Sequence, residues 1–266
     1  MDDPEIGRIV TRVHRDAPPA PSMVAVAVPR SDGHLPLAAA RNIAASTAIE
    51  LGADVLVFLD VDCIPSPRLV ERYVDACRPP LTHPDSSHPD RGPHPVVLSG
   101  AVHYLPPLPP GQPRYAAADL DRSIPHPVRP VAADGCCVVE PDPGMFWSLS
   151  FALTSTHWRA LGGFDEGYVG YGGEDTDFAM RVHSRGGLLY RLGGAPAYHQ
   201  HHPVEDPPRR HVRDIVRNSN RFHERWGVFP MRGWLDAFAD EGLIRLSGQP
   251  PRWTSTSDAG RPSRTS

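Results

Sequence analysis

One stretch constrains this chain more than any other: ADVLVFLDVDCIPSP, which begins at Ala53. Val55 through Leu59 is an unbroken apolar run of strand length and reads as a strand. Asp60-Val61-Asp62 follows directly, and Pro65 and Pro67 end the element. In open α/β sheets ligands sit beyond the carboxyl ends of strands, so the two aspartates fall where a binding site is built.

The neighbouring sequence fits that frame. MVAVAVP from Met23 predicts a short buried strand. LPLAAARNIAASTAIELGA, after His34, is rich in helix formers, places Leu37, Ile43 and Ile49 among alanines, and stops at Gly52. A second helix is predicted from Arg68 to about Cys77. This strand–helix–strand alternation predicts an α/β fold with a mostly parallel sheet flanked by helices. Further strands are predicted at Val96–Tyr104 and Phe146–Leu153. Ser155 or Thr156 is placed to cap the helix HWRALGG, which Gly162 and Gly163 end. A glycine-dense turn, YVGYGGED, leads into a helix from about Asp175 to Ser184, and LLYRL reads as the last strand. Arg209 to Trp226 reads as a basic helix. Residues 79–95 and 106–113 are proline-rich surface loops, and 248–266 reads as a disordered tail behind a single domain over 1–247.

Composition excludes some classes of function. The 266 residues suffice for one sizeable core, and 27 basic against 31 acidic residues leave no field to gather nucleic acid. A small polar substrate fits better. The apolar runs are far short of the ~20 residues that span a bilayer, so the chain is expected to be soluble and cytoplasmic, with peripheral membrane contact left open. Cys63, Cys77, Cys136 and Cys137 show no C-x-x-C spacing and are expected to be free thiols.

Three constellations carry chemistry. In an extended segment, residues two apart project the same way, so Asp60 and Asp62 can meet one hard cation and its bound oxygens; the alternative is a pair of turn and N-cap residues. In GGEDTD, Gly172 and Gly173 permit close backbone approach, and Glu174 and Asp175 open a helix. An acidic N-cap is the plain alternative there. Tyr168 and Tyr171 beside these acids suit a sugar, whose hydroxyls bind carboxylates and whose C–H faces bind rings. A carboxylate on an acceptor hydroxyl acts as general base. The third is AYHQHHP, where His199, His201 and His202 offer imidazole ligands, or simply a solvated polar loop.

The order LAAARN, VFLDVDCIPSP, FALTSTHWRALGGFDEGYVGYGGEDTDFAMRVHSRGG and a late YHQHH resembles bacterial glycosyltransferase family two enzymes. Its C-terminal half is similar to the galactosyltransferase and polypeptide N-acetylgalactosaminyltransferase groups. The resemblance runs from about Leu35 to His202 and implies a GT-A type fold. It implies Asp60 on the donor's ribose or sugar, and Asp62 as a ligand of Mn²⁺ or Mg²⁺ with His202 or His199 as the late ligand. Asp175 would be the base of an inverting transfer, with Glu174 on acceptor or donor hydroxyls. Arg41 would lie near the nucleotide, Gly173 against substrate, and Trp147 along the sugar pocket, a core tryptophan being the alternative. The partners implied are a nucleotide-sugar donor, expected to be a UDP-sugar, and a carbohydrate or other hydroxyl-bearing acceptor.

The family opens with an apolar strand that seats the nucleotide base and a second strand after it, whereas only about 34 residues precede Leu35. The expectation is a start placed too far downstream; the alternative is a chain without a base-binding element. Two rivals follow: a nucleotidyltransferase or metal-dependent phosphohydrolase, and a catalytically impaired carbohydrate- or nucleotide-binding module.

Overall fold

The computed structural model describes residues 4–16, 23–29, 34–78 and 94–256. The chain begins with helix α1 (Pro4–Asp16) and the alanine-rich α2 (Leu37–Glu50). Strand β1 (Val55–Leu59) follows, then β2 (Cys63–Pro65), α3 (Leu69–Cys77) and β3 (Val96–Tyr104). A long excursion carries the short α4 (Ala117–Leu120), β4 (Ile124–Pro125) and β5 (Cys137–Glu140). Next come β6 (Ser150–Thr154), α5 (Ser155–Leu161), α6 (Glu174–Ser184) and β7 (Leu188–His199). Helices α7 (Val212–Trp226) and α8 (Arg232–Asp240) and the hairpin β8 (Ile244–Ser247) and β9 (Arg252–Ser255) close the described chain.

Seven strands form one sheet in the order β1-β6-β3-β7-β2, with β4 added to β3 and β5 to β7. The α/β class agrees with the sequence reading; the mostly parallel sheet does not. Only β3 and β7 run parallel, and every other pair is antiparallel. Alternation of strand and helix does not fix strand direction when an intervening strand from elsewhere in the chain enters the sheet, as β6 does between β1 and β3.

Two apolar layers sandwich the sheet. On one face Phe151, Phe178, Phe164, Phe146 and Trp158 pack with Ala38 and Ala45 of α2. On the other, Tyr73 and Leu69 of α3 pack on Leu98, Leu192 and Ala197. A third cluster joins α7, α8 and the hairpin through Ile215, Leu235, Phe238 and Trp253. Gly100 is required where β3 passes β7 and α3, because a Cβ there would stand 2.5 Å from the Ala195 carbonyl oxygen and 2.6 Å from the Tyr73 hydroxyl.

Other local readings are corrected. Residues 23–29 form no strand, and Val24 and Val26 are exposed; that segment lies along α1 and α2 instead of bonding into the sheet, so apolar content alone did not suffice. The cap of α5 is Thr154, whose Oγ1 accepts from His157 N at 3.2 Å, one residue before the positions predicted. LLYRL is part of a twelve-residue strand and is not the last. The expected tail is structured to residue 256: β9 pairs with β8, Trp253 is buried in the third cluster, and Asn220 bonds both its N–H and its carbonyl. Residues 257–266 and most of the first proline-rich loop, 79–93, lie outside the described residues. The four cysteines are free, as expected.

Candidate active site

The site forms where the carboxyl ends of β1 and β7 meet the start of α6. Antiparallel pairing of β2 with β7 sets Cys63 opposite His199, and Gln200 N donates to the Asp62 carbonyl at 2.8 Å. These bonds hold the D-x-D loop against the end of β7. Val61, between the two aspartates, is fully exposed, so the loop turns its acids inward and its apolar residue out.

Asp62 Oδ2 lies 3.4 Å from His199 Nε2 and 3.8 Å from His202 Nε2. The three ligand-type atoms fall within 4.8 Å of one another. The sequence left His199 and His202 as alternatives; the fold brings both to the same carboxylate. The hydrogen bond from His199 holds the Asp62 carboxyl below its ordinary range. One carboxylate oxygen and two imidazole nitrogens form a mixed donor set that suits a divalent transition ion.

The second part of the site opens α6. Gly172 and Gly173 both have left-handed backbone, φ +88° and +94°, and a Cβ on Gly173 would press on the Tyr168 ring at 3.2 Å. This turn delivers Glu174 and Asp175 to the first turn of the helix, where the unpaired N–H groups favour negative charge. Glu174 is nonetheless buried, and burial together with the neighbouring Asp175 charge pushes its carboxyl up to about 7. Burial also raises Asp175, against the Thr176 N–H that its Oδ1 accepts at 2.7 Å.

Arg41 joins the two parts. Its Nη2 donates to Asp60 Oδ1 at 3.0 Å and its Nη1 to Glu174 Oε1 at 3.3 Å, with the guanidinium stacked over Phe164. The remaining Glu174 oxygen, Oε2, is buried with no partner among the described residues. Trp147 is half-buried in an aromatic wall rather than in the core. His126 meets its ring edge-on at 4.8 Å, Arg129 lies 4.8 Å over its face, and Tyr104 packs between His126 and His199.

Sequence reasoning missed two groups. Tyr104 ends β3 and is the register partner of His199; only the pairing reveals it. The basic helix α7, which sequence reading left without a partner, grips the glycine turn. Asn218 is fully buried, and its Nδ2 lies within bonding distance of the carbonyls of Val169, Tyr171 and Gly172. Arg217 donates to Val169 O, Asp214 fills the space beside Gly170, and Arg221 bonds Asp165. Asp177, buried, accepts from Arg181 Nε and Trp226 Nε1, each at 2.9 Å, tying α7 to α6. The i, i+4, i+8 spacing of Arg217, Arg221 and Arg225 signals one helix face, and nothing in that spacing names its partner.

By family match the chain resembles glycosyltransferases as a class: residues 144–203, from the turn before β6 through the histidines after β7, match the family described as the N-terminal domain of galactosyltransferase. Its curated relatives include the validoxylamine A glucosyltransferases of Streptomyces hygroscopicus subsp. jinggangensis (strain 5008) and subsp. limoneus, each 29% identical over 169 residues. Those alignments take in 56% of this chain and 36% and 33% of the relatives, so the chain matches about a third of their length. Among solved structures, GalNAc-T7 with UDP, GalNAc and Mn²⁺ aligns over 78% of this chain and 44% of that one, at 16% identity and a TM-score of 0.41.

Proposed function

We propose that the chain is a metal-dependent glycosyltransferase that moves a hexosyl group from a nucleotide-sugar to an acceptor hydroxyl with inversion. The observation that carries this reading is the Arg41 bridge, which gathers the D-x-D loop and the GGED turn into one cleft. The family match supports it, because residues 144–203 contain the GGED turn and both histidines. The glucosyltransferase relatives favour a hexose as the group moved.

Asp62, His199 and His202 are the residues that would hold the ion, Mn²⁺ or Mg²⁺, with the two nitrogens favouring Mn²⁺. A divalent cation bound there supplies positive charge against the departing diphosphate. Asp60 and Glu174, held apart by Arg41, offer oxygens to sugar hydroxyls, and the unpartnered Glu174 Oε2 gains a donor when a hydroxyl arrives. Trp147 and Tyr104 present ring surface to the C–H faces of the sugar.

Asp175 takes the proton of the acceptor hydroxyl as its oxygen attacks the anomeric carbon; the bond to the diphosphate oxygen breaks and the diphosphate leaves with the electron pair. Attack from the face opposite the diphosphate inverts the anomeric centre. Burial raises the pKa of Asp175, which strengthens it as a base.

Release of nucleoside diphosphate from a panel of UDP-, GDP- and dTDP-sugars, with Mn²⁺ or with chelator, tests this. The reading requires release from at least one donor with a suitable acceptor, abolished by chelator and by Asp62→Ala, and abolished or nearly so by Asp175→Asn. Binding of a donor without release in any condition would favour a carbohydrate- or nucleotide-binding module instead.

A further inference from the structure

Beside the aromatic wall of the cleft, Ser99, Gly100, Arg129, Ala132 and Arg191 help line a cavity of about 20 Å³ between β3, β7 and residues 129–132. That volume admits roughly one water-sized occupant. Ser99 and Arg191 are register partners across the parallel pair β3/β7, so their side chains leave the same face of the sheet. Arg129 Nη2 donates to Ser99 Oγ at 3.2 Å, and Arg191 Nη1 donates to Glu140 Oε2 at 2.8 Å. Arg129 Nη1 and Arg191 Nε are buried and have no partner among the described residues.

A guanidinium offers donors and no acceptor, and buried donors of this kind are almost always satisfied. Both arginines line the same small cavity, so a single occupant that accepts from both would satisfy them. Charge narrows its identity. Among the described residues Glu140 is bonded to Arg191 and no carboxylate is bonded to Arg129, which Asp175 and Glu140 reach only through space, so the two guanidiniums have one bonded counter-charge between them. Burial accordingly holds the Arg129 guanidinium below its ordinary pKa. A water accepts from both nitrogens but leaves the excess positive charge in place and brings two hydrogens that need acceptors of their own. A monatomic anion accepts from both, adds no donor and neutralises the excess.

We propose that this cavity is a structural site for one chloride-sized anion, held between Arg129 Nη1 and Arg191 Nε. Its occupant holds Arg129 over Trp147, whose ring centroid lies 4.8 Å from the guanidinium carbon. The inference is independent of the reaction assigned to the cleft.

Bromide is the probe. Crystals of the full chain grown in sodium bromide should give an anomalous peak within contact of both nitrogens. The melting temperature should rise by a few degrees and saturate as sodium chloride replaces sodium gluconate at constant ionic strength, because only an occupant of the native state stabilises by mass action. Arg129→Met and Arg191→Met should each abolish that chloride dependence, and if neither variant folds, the wild-type bromide map decides alone. Water-like density without anomalous signal overturns the proposal, as does a melting temperature that responds equally to chloride and gluconate. Bromide found solely on the outer surface is an adventitious ion only and overturns it too.

Discussion

Arg41 holds Asp60 and Glu174 at once, donating from Nη2 to one and from Nη1 to the other across more than a hundred residues of sequence. Its side chain is 12% exposed and that of Glu174 is 9% exposed, so the second of these pairs is largely out of water. Removing one partner of such a pair leaves an uncompensated buried charge. Arg41→Ala should therefore cost about 3–5 kcal/mol of unfolding free energy. Urea denaturation measures it, and a cost below about 1 kcal/mol, the range of exposed pairs, would show that the bridge does not hold the cleft together.

The same burial makes stability depend on pH in a defined window. Glu174 titrates near 7 in the folded chain against an ordinary 4.5, so between those values the folded state binds the proton more tightly than the unfolded state. Stability from this group is complete below about pH 4.5 and falls as pH rises toward 7. Glu174→Gln, which does not titrate, should gain on the wild type by about 3 kcal/mol across that window and level off above it. Paired melts at pH 5 and pH 8 check the sign; a gain on going to lower pH would contradict it.

Loss of any ligand from the Asp62, His199 and His202 set should weaken Mn²⁺ binding by at least the roughly 10–100-fold seen when an outer partner of a metal ligand is removed. Calorimetric titration of Asp62→Ala, His199→Ala and His202→Ala distinguishes the three. Wild-type affinity in His202→Ala would leave His199 as the imidazole ligand and His202 as a surface neighbour.

Asp175→Asn keeps the shape of the α6 start and removes the proposed base. Turnover should fall by about 10²–10⁴-fold while donor affinity changes little, which separates it from Asp62→Ala, where donor affinity falls as well. Equal loss of donor binding in both variants would assign Asp175 to the donor rather than to proton transfer.

Asn218 touches no proposed substrate, yet it carries the turn that aims Glu174 and Asp175. Asn218→Ala removes the donor shared by the part-buried carbonyls of Tyr171 and Gly172, at about 1–3 kcal/mol. It should also raise amide exchange from Gly170 to Gly173 and lower kcat more than it raises KM. Unchanged exchange in that turn would mean that Arg217 and Asp214 hold it without Asn218.

Much of this protein follows from local sequence. The β1 run ending in Asp60-Val61-Asp62, the alanine-rich α2 and the glycines that open α6 are determined by periodicity, propensity and steric freedom within a few residues. The histidines of AYHQHHP were legible as candidate ligands by residue type alone. What the chain could not disclose locally is pairing. The sheet is mostly antiparallel because β6 inserts between β1 and β3, and 23–29 stays out of it although it is as apolar as a strand. Both histidines reach Asp62 only because β2 and β7 run antiparallel in one register. Arg41 finds Asp60 and Glu174, and α7 finds the glycine turn, through contacts whose partners lie tens to more than a hundred residues away. A charge on a helix face announces that it needs a counterpart; which carboxylate or carbonyl supplies it is decided by packing.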